Sequence, residues 1–392
     1  MIQFSNIKFS SILKFVFIPL LYELVVGGSG HYLEVGSLTF RMFLYVLAIF
    51  LGIFYFGIKK VLRKDLVIIL VAFTVLCLFS IVVGYTNNAN TDTILEDIKP
   101  LIFFYILIFF YSVINSLDDI LQIINIIKKG ALFLALTYFI VLTLLFLGVI
   151  DFVSFYDKQN AIGEIMFRND LFFFYKGFLY LCVGYFFFLL SKGSLNQFLA
   201  LLMLLSIILT LTRGFILFTL LITLYYYVFI NKSIIVKSIF LGLCLITVII
   251  VVPFFIETLG DKSDSDMIRF ITLFEVIDRV NPLTFIIGHG FGVGVPSRPI
   301  HMEVSFLEIF HKQGLIGVSF WACLYIYIFN RYFRIKNKEY KRMALPFLLS
   351  VIFIILQSVT NPYMNNPIGL TIILISLVVF SKLIEFQKNI IE

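Results

Sequence analysis

The sequence predicts an all-α polytopic membrane protein with about twelve transmembrane helices, and three observations support this fold class. Hydrophobic residues make up 61% of the 392 residues and charged residues only 14%, whereas a soluble protein carries about 25% charge. The mean hydropathy is +1.06. Apolar runs long enough to cross about 30 Å of hydrocarbon recur along the whole chain. We therefore expect residues 1–392 to form a single integral membrane domain.

The apolar runs define the predicted spans. The first run follows Lys8 and contains Lys14, which also suits a signal peptide, but no small-residue cleavage site follows. We therefore expect it to be retained as a helix. The predicted spans are 12–27, 38–58, 65–84, 100–115, 130–150, 171–190, 198–212, 214–230, 234–256, 314–330, 344–360 and 367–384.

The stretch 198–230 fits either one long tilted helix or a hairpin of two short helices that turns at Thr212–Arg213–Gly214. Two basic loops, 59–64 and 331–342, are both expected in the cytoplasm, because Lys and Arg concentrate in cytoplasmic loops. An even number of spans must then separate them, and only the hairpin provides it. The predicted outward-facing segments are 28–37, 85–99, 151–170, the Arg213 turn, 257–313 and 361–366, of which 257–313 is the longest.

The concentration of Lys and Arg in cytoplasmic loops also accounts for the net charge of +7. The positive charge is therefore not taken as a sign of a nucleic-acid partner. The cysteines Cys77, Cys182, Cys244 and Cys323 lie singly within apolar spans. This distribution predicts neither a disulfide framework nor a CxxC metal site.

The long outward loop, 257–313, collects side chains that can bind substrate or transfer protons. It holds three of the four histidines, together with arginines and glutamates. A solvated loop that re-enters the membrane through an amphipathic helix is the structural alternative. The loop residues that are candidates for substrate binding or proton transfer are Arg269, Arg279, His289, Arg298, His301, Glu303, Glu308 and His311.

Two other kinds of site fit this loop poorly. The spacing of His301, Glu303, Glu308 and His311 matches no HExxH or comparable pattern, so we expect no metal. The glycine run from Gly288 to Gly294 follows no predicted strand and lies in no βαβ unit, so it is not a dinucleotide fingerprint. We interpret the glycines as a turn that lets backbone approach another chain or a ligand closely.

Arg213 stands within an otherwise apolar stretch, where an ionisable group is costly unless it is paired or hydrated. It can snorkel to the interface from a helix end. Alternatively, its guanidinium binds an anionic group, because a guanidinium grips phosphate through two parallel hydrogen bonds. Arg269 offers a second guanidinium from a nearby predicted helix. Two arginines at the outer membrane boundary suit a lipid pyrophosphate better than a soluble solute.

These motifs resemble the O-antigen polymerase and ligase superfamily of bacterial membrane glycosyltransferases. A span ends at Thr212–Arg213–Gly214, and an arginine-bearing helix at Arg269 leads into Gly288–His289–Gly290. His301 then precedes Leu307, Gly314 and Gly317 in a Leu–x6–Gly–x2–Gly pattern. The order of the motifs, the number of spans and the position of the long loop are similar to that family over most of the chain.

The resemblance implies a multi-pass protein of the bacterial inner membrane with a periplasmic active site. It implies metal-independent transfer from undecaprenyl-pyrophosphate-linked oligosaccharides, without a cofactor, and a possible chain-length co-polymerase as partner. Arg213 and Arg269 would hold the pyrophosphate and stabilise it as it leaves. The general base is either His301 or Glu303. Arg279, His289, Arg298, Glu308 and His311 are expected to contact substrate.

Three alternatives remain open from the sequence. A ligase would transfer glycan to the lipopolysaccharide core, but the His–Asn pair typical of ligases is replaced here by Glu303–Val304. A capsule or exopolysaccharide polymerase would use the same chemistry. A transporter or flippase also has about twelve spans, and Glu23 and Lys176 lie within predicted spans, where transporters place ionisable residues.

Overall fold

The computed structural model describes residues 6–36, 38–58, 62–168, 171–230 and 263–391. Most of the described residues are helical, and two short antiparallel ribbons lie in the connections between helices. The helices are α1 Asn6–Val26, α2 Phe40–Ile58, α3 Lys64–Thr86, α4 Thr91–Leu101, α5 Ile106–Val113, α6 Leu117–Phe146, α7 Phe152–Ile162, α8 Leu179–Leu189, α9 Ser194–Leu209, α10 Arg213–Tyr225, α11 Ser263–Asp278, α12 Pro282–Ile287, α13 Ser305–Phe333, α14 Lys338–Gln357 and α15 Pro367–Ile391. The ribbons pair β1 Glu34–Val35 with β2 Leu38–Thr39, and β3 Ile165–Phe167 with β4 Phe173–Tyr175.

The helices confirm the predicted all-α membrane class. Among the described residues, six helices are long and apolar enough to cross a membrane: α1, α2, α3, α6, α13 and α15. Three shorter apolar helices, α8, α9 and α10, accompany them. The total of twelve spans stays a prediction, and the predicted span 234–256 lies outside the described residues.

Helix α15 forms the centre of the bundle, since 94% of the residues in its apolar membrane-spanning stretch are buried. Helices α2 and α3 instead turn large apolar side chains outward, such as Phe43 at 62% exposed and Ile68 at 66%. A surface of this kind suits lipid rather than water, because in a bilayer the apolar side chains face the hydrocarbon.

The helix ends gather at two ends of the bundle. At one end, the backbone N–H of Ser29 and of His31 donate to Glu164 at 3.0 and 3.1 Å. At the same end, Asn87 Nδ2 donates to His289 O at 2.8 Å. We call this the site end. At the opposite end Arg63 Nη1 lies 3.2 Å from Glu385 Oε1.

The two basic loops also meet at this opposite end. Arg331 forms an ion pair with Asp65, and Lys336 N donates to Gln387 Oε1 at 2.9 Å. The sequence-based prediction that the loops after α2 and α13 share one face is therefore confirmed for their described residues. An even number of crossings must separate them.

The predicted turn at Thr212–Arg213–Gly214 is confirmed. Helix α9 ends at Leu209, and Leu211 has a positive φ of 49°. Helix α9 starts at the opposite end, where Lys128 Nζ donates to Asn196 Oδ1 at 2.7 Å. Helix α10 starts at the site end, where the Cα of Gly214 faces the side chains of Gln357 and Thr360. The two helices therefore run in opposite directions, as in a hairpin.

The predicted span 100–115 is not one continuous α-helix. Pro100 stands near the end of α4, a 3-10 turn covers Ile102–Tyr105, and α5 is only eight residues long. Proline lacks the N–H that a helix interior needs, and the 3-10 turn follows directly after α4 and separates it from α5. Helix α6 in turn begins at Leu117, earlier than the predicted 130, because Ser116 and Asp119 form a capping box that starts the helix in the polar segment.

The glycine-rich segment after α12 packs against the end of α3. Phe291 N donates to Ser80 O at 2.9 Å, and Gly290 adopts a positive φ of 86°. A Cβ on Gly84 would collide with the carbonyl oxygen of Phe291. The close backbone approach expected of the glycine run is thus present, directed at another part of the protein.

The Gly84→Ala variant tests this contact. We expect the added methyl group to cost about 1–3 kcal/mol, as overpacking does, and to lower the melting temperature in detergent. Gly57→Ala is the matched control, because nothing lies within 4 Å of a Cβ there and alanine favours a helix by about 0.5–1 kcal/mol over glycine. Equal melting temperatures for the two variants would contradict the packing argument.

Candidate active site

Arg213 and Arg269 meet at one carboxylate at the site end. Arg213 is the first residue of α10, and Arg269 lies on α11. Asp266, one helical turn before Arg269, accepts from Arg269 Nη1 at 2.8 Å and lies 3.5 Å from Arg213 Nη1. Residues that are far apart in sequence are therefore held together by a shared counter-ion.

Glu303 extends this group on the other side of Arg269. Its Oε2 accepts from Arg269 Nε at 2.7 Å, and its Oε1 accepts from Arg298 Nη2. Both carboxylate oxygens of Glu303 are thus engaged by guanidinium groups. All three side chains are about one-third exposed, so the group remains open to a ligand.

Arg168 is a fourth arginine of this group, which the sequence analysis missed. It follows β3, and its positive charge acts on the same region, because Arg213 and Arg269 both lower its pKa after the larger effect of burial. Its Nε is buried without a hydrogen-bond partner, and its guanidinium lies 5.7 Å from the centre of the Phe174 ring. A buried donor of this kind is costly unless a ligand satisfies it.

We call Arg168, Arg213, Arg269 and Arg298, with Asp266 and Glu303, the arginine cluster. Four guanidinium groups and two carboxylates leave a net charge of about +2 (four minus two). The N-terminus of α10 adds free backbone N–H groups and the positive end of a helix dipole. The arrangement is suited to a group that carries two negative charges.

A second group of charges lies deeper at the same end. Lys312 Nζ bridges Asp97 Oδ1 at 2.6 Å and Glu308 Oε1 at 2.7 Å. Asp97 and Glu308 are 5% exposed and Lys312 is 3% exposed. His301 Nδ1 faces the same two carboxylates, at 3.5 Å from Asp97 and 3.4 Å from Glu308. We call these four residues the His301 tetrad.

Backbone and amide groups complete the hydrogen bonding of the tetrad. Gly292 N donates to Asp97 Oδ2 at 2.7 Å, Asn365 Nδ2 donates to Glu308 Oε2 at 2.7 Å, and Lys312 Nζ also donates to Ile300 O at 2.6 Å. Buried charges are tolerated when they are paired and hydrogen-bonded in this way. The hydrogen bond with Glu308 raises the pKa of His301.

The carboxylates and the imidazole of the tetrad could in principle ligate a metal, because single ligand atoms of Asp97, His301 and Glu308 lie within 4.8 Å of one another. The Lys312 ammonium, however, already lies between the two carboxylates. A divalent cation at this position would face that positive charge. The residues present therefore fit an internal ion pair better than a metal ion.

Three predicted substrate-binding residues lie apart from both groups and contact the glycine-rich segment. His289 and His311 stack with ring centroids 4.3 Å apart, and His311 is only 1% exposed. Arg279 Nη1 donates to Gly294 O at 2.7 Å. The contacts described for these residues hold the loop, and a direct role in substrate binding stays a prediction.

The segment from 358 to 366 connects the arginine cluster with the His301 tetrad. Thr360 lies beside Gly214, the ring of Tyr363 lies 6.0 Å from that of Phe215 in α10, and Asn365 holds Glu308. Ser305, at the start of α13, donates to Asn365 Oδ1 at 3.1 Å. His301 and Glu303, which belong one to each group, are separated by a single residue.

Together these features define an all-α membrane protein that gathers arginines, carboxylates and a histidine at one end of its bundle. An O-antigen polymerase from Shigella flexneri is 30% identical to the chain over 366 residues, which covers 90% of each protein. No family model matches the chain. The chain therefore belongs to the O-antigen polymerase family, within the superfamily of O-antigen polymerases and ligases.

The Lys312→Met variant tests how the tetrad is held together. It leaves two buried carboxylates without their cation, and breaking a buried ion pair in this way costs about 3–5 kcal/mol. We expect a clear fall in the melting temperature in detergent, whereas exposed Lys336→Met should have little effect. Adding Asp97→Asn to Lys312→Met should recover part of the loss. A double variant no more stable than the single one would contradict the pairing.

Proposed function

We propose that this protein polymerises O antigen, joining undecaprenyl-pyrophosphate-linked oligosaccharide repeat units at the periplasmic face of the bacterial inner membrane. The observation that carries the proposal is that Arg213 and Arg269 share the Asp266 carboxylate, in a chain that is 30% identical to an O-antigen polymerase. A chain-length co-polymerase is a further expected partner.

The arginine cluster is the proposed site of the donor pyrophosphate. Its excess of about two positive charges matches a diphosphate, and guanidinium groups bind phosphate oxygens in pairs. When the sugar is transferred, the bond from its anomeric carbon to the pyrophosphate breaks and negative charge grows on the leaving oxygen. Positive groups already aimed at that position stabilise the transition state more than the ground state.

His301 is the preferred general base of the two candidates. Both oxygens of Glu303 accept hydrogen bonds from arginines, which makes Glu303 a positioning residue for Arg269 and Arg298. His301 is half-exposed, and its Nδ1 faces carboxylates. This arrangement leaves Nε2 as the nitrogen that can accept a proton from a sugar hydroxyl, as general bases do in transfer reactions.

Two alternatives from the sequence have less support. The relative is a polymerase, which favours polymerisation over transfer to the lipopolysaccharide core. The transporter alternative rests partly on Glu23 as an ionisable residue within a span. Glu23, however, is 8% exposed and accepts from Arg41 Nε at 2.6 Å and from Arg41 Nη2 at 2.9 Å. This pair also binds Gly28 O through Arg41 Nη2 at 2.6 Å, so its contacts are those of a structural ion pair.

Arg213→Ala and Arg269→Ala test the donor site. Each substitution removes a guanidinium group that would stabilise the negative charge developing on the leaving pyrophosphate. We therefore expect polymer formation to fall by about 10²–10³-fold. Purified protein in liposomes with the lipid-linked repeat unit gives the measurement, as a ladder of products. Lysine at either position should also be damaging, since it cannot form the paired hydrogen bonds. Arg334→Ala, at the opposite end, is the matched control, and full-length polymer from Arg213→Ala would remove that residue from the mechanism.

The pH dependence of the rate tests His301. The base works only when deprotonated, so activity should fall as the pH drops through the pKa of His301, which the Glu308 hydrogen bond raises. Glu308→Gln removes that effect and should move the acidic limb of the rate profile to lower pH. Glu303→Gln should lower the rate without moving the limb. A limb at the same pH in Glu308→Gln would exclude His301 as the titrating base.

A further inference from the structure

A cavity of about 440 Å³ lies at the site end, and His301 lines it whereas the two tetrad carboxylates do not. The first outer connection, the beginning of α2, the end of α4 and the beginning of α15 enclose it. Its volume falls within the range of about 300–1,000 Å³ that is common for small-molecule sites. His301 lines both this cavity and the small space around the tetrad.

The cavity has one polar and one apolar set of lining residues. Ser29, Glu96, Lys99 and Asn366 offer hydrogen-bonding groups, while aromatic and aliphatic side chains come from α2, the 3-10 turn and α15. A sugar has the same two characters, with hydroxyl groups at its edge and C–H groups on its faces. The aromatic and aliphatic lining residues are Met42, Tyr45, Ile102, Phe103 and Ile368, and Pro100 and Pro367 add further apolar surface.

The lining is held in place by its own hydrogen bonds. Arg41 is fixed by Glu23 and by Gly28 O, and Tyr45 OH donates to Ile102 O at 2.7 Å. Asn366 Nδ2 donates to Pro362 O at 2.6 Å and its Oδ1 accepts from Gly369 N at 3.1 Å. A cavity with fixed walls binds a ligand with a smaller loss of conformational entropy.

We propose that this cavity binds the acceptor glycan and presents its terminal sugar hydroxyl to His301. The assignment rests on the proposed function, which requires two glycans to meet. In the reaction, the hydroxyl oxygen bonds to the anomeric carbon of the donor, and the bond from that carbon to the pyrophosphate breaks. The electron pair leaves with the pyrophosphate, and the hydroxyl proton moves to His301 Nε2.

The distribution of charge separates the acceptor from the donor. The Arg41 guanidinium in the cavity wall is already neutralised by Glu23, and Lys99 and Glu96 balance each other in charge. The arginine cluster has an excess of about two positive charges instead. A diphosphate therefore favours the arginine cluster and an uncharged glycan end favours the cavity. His301 lines the cavity, and Glu303, two residues further along the chain, belongs to the arginine cluster.

Two tryptophan substitutions on neighbouring residues test the cavity. Met42→Trp fills it, whereas Phe43→Trp places the same ring on the outward-facing surface, where Phe43 is 62% exposed. The probes are a water-soluble repeat-unit glycan without lipid or phosphate and a polyprenyl diphosphate without sugar. Their binding to the full-length protein in nanodiscs is measured by titration calorimetry, and polymer formation is followed in parallel. Lys99→Met removes a polar contact without adding bulk and serves as a second variant should Met42→Trp fail to fold.

We expect Met42→Trp to weaken glycan binding at least tenfold and to leave diphosphate binding unchanged, with Phe43→Trp like the wild type. Arg213→Ala should show the reverse pattern. Equal glycan binding by Met42→Trp and Phe43→Trp would overturn the cavity assignment. The proposed function would still stand in that case if the wild-type protein forms polymer. If Met42→Trp does not fold, Lys99→Met decides the question. Glycan binding as tight as that of the wild-type protein overturns the assignment, and weaker binding supports it. A wild-type protein that forms no polymer from lipid-linked repeat units would overturn both.

Discussion

The ammonium of Lys312 between the carboxylates of Asp97 and Glu308 is the interaction on which the site depends. It joins the beginning of α13 to α4, which precedes it by about 200 residues in the chain. Without the cation both carboxylates would lose their closest positive partner, and burial of a charge is costly unless it is paired. The pair therefore fixes the position of His301 as well as the contact between two distant segments.

The same constraint explains why the glycines of the long loop matter. Gly288 and Gly314 lie back to back, and a side chain on either would collide with the backbone of the other segment. Gly314 has a positive φ of 61° and interrupts α13. The turn of α13 that carries Glu308 and Lys312 is thereby set at an angle to the membrane-spanning remainder of the helix, which lets the glycine-rich segment reach Asp97 through Gly292 N.

The fold class, the hairpin at Arg213 and the common end of the basic loops could be predicted, because they follow from hydropathy and from charge counted along the chain. The 3-10 turn after Pro100 could not be placed from hydropathy alone, since the residues from Leu101 to Tyr111 are apolar or aromatic whether or not they are α-helical. Within the site, Arg213, Arg269, Arg298, His301, Glu303 and Glu308 were identified by residue type in an outward segment.

The partners of those residues were not identified. Asp97 lies in a different predicted outward segment. Lys312 lies in the first turns of α13, where the sequence pattern is that of an amphipathic surface helix, so only the tertiary contact reveals the pair. Arg168 follows Phe167 and precedes Asn169 and Asp170, with no neighbouring basic residue to draw attention to it. A signal was present, however, since Arg168 is an isolated cation in a predicted outward segment, as Arg213 is in its turn.

Asp266 and Glu303 also have a consequence for selectivity. They hold the guanidinium groups with internal anions when no ligand is bound, so an incoming group has to compete with two carboxylates already in place. A diphosphate presents oxygens on two phosphorus atoms and can replace both carboxylates, whereas a monophosphate presents the oxygens of only one. The ion pairs therefore favour a ligand with two adjacent phosphate groups over a ligand with one.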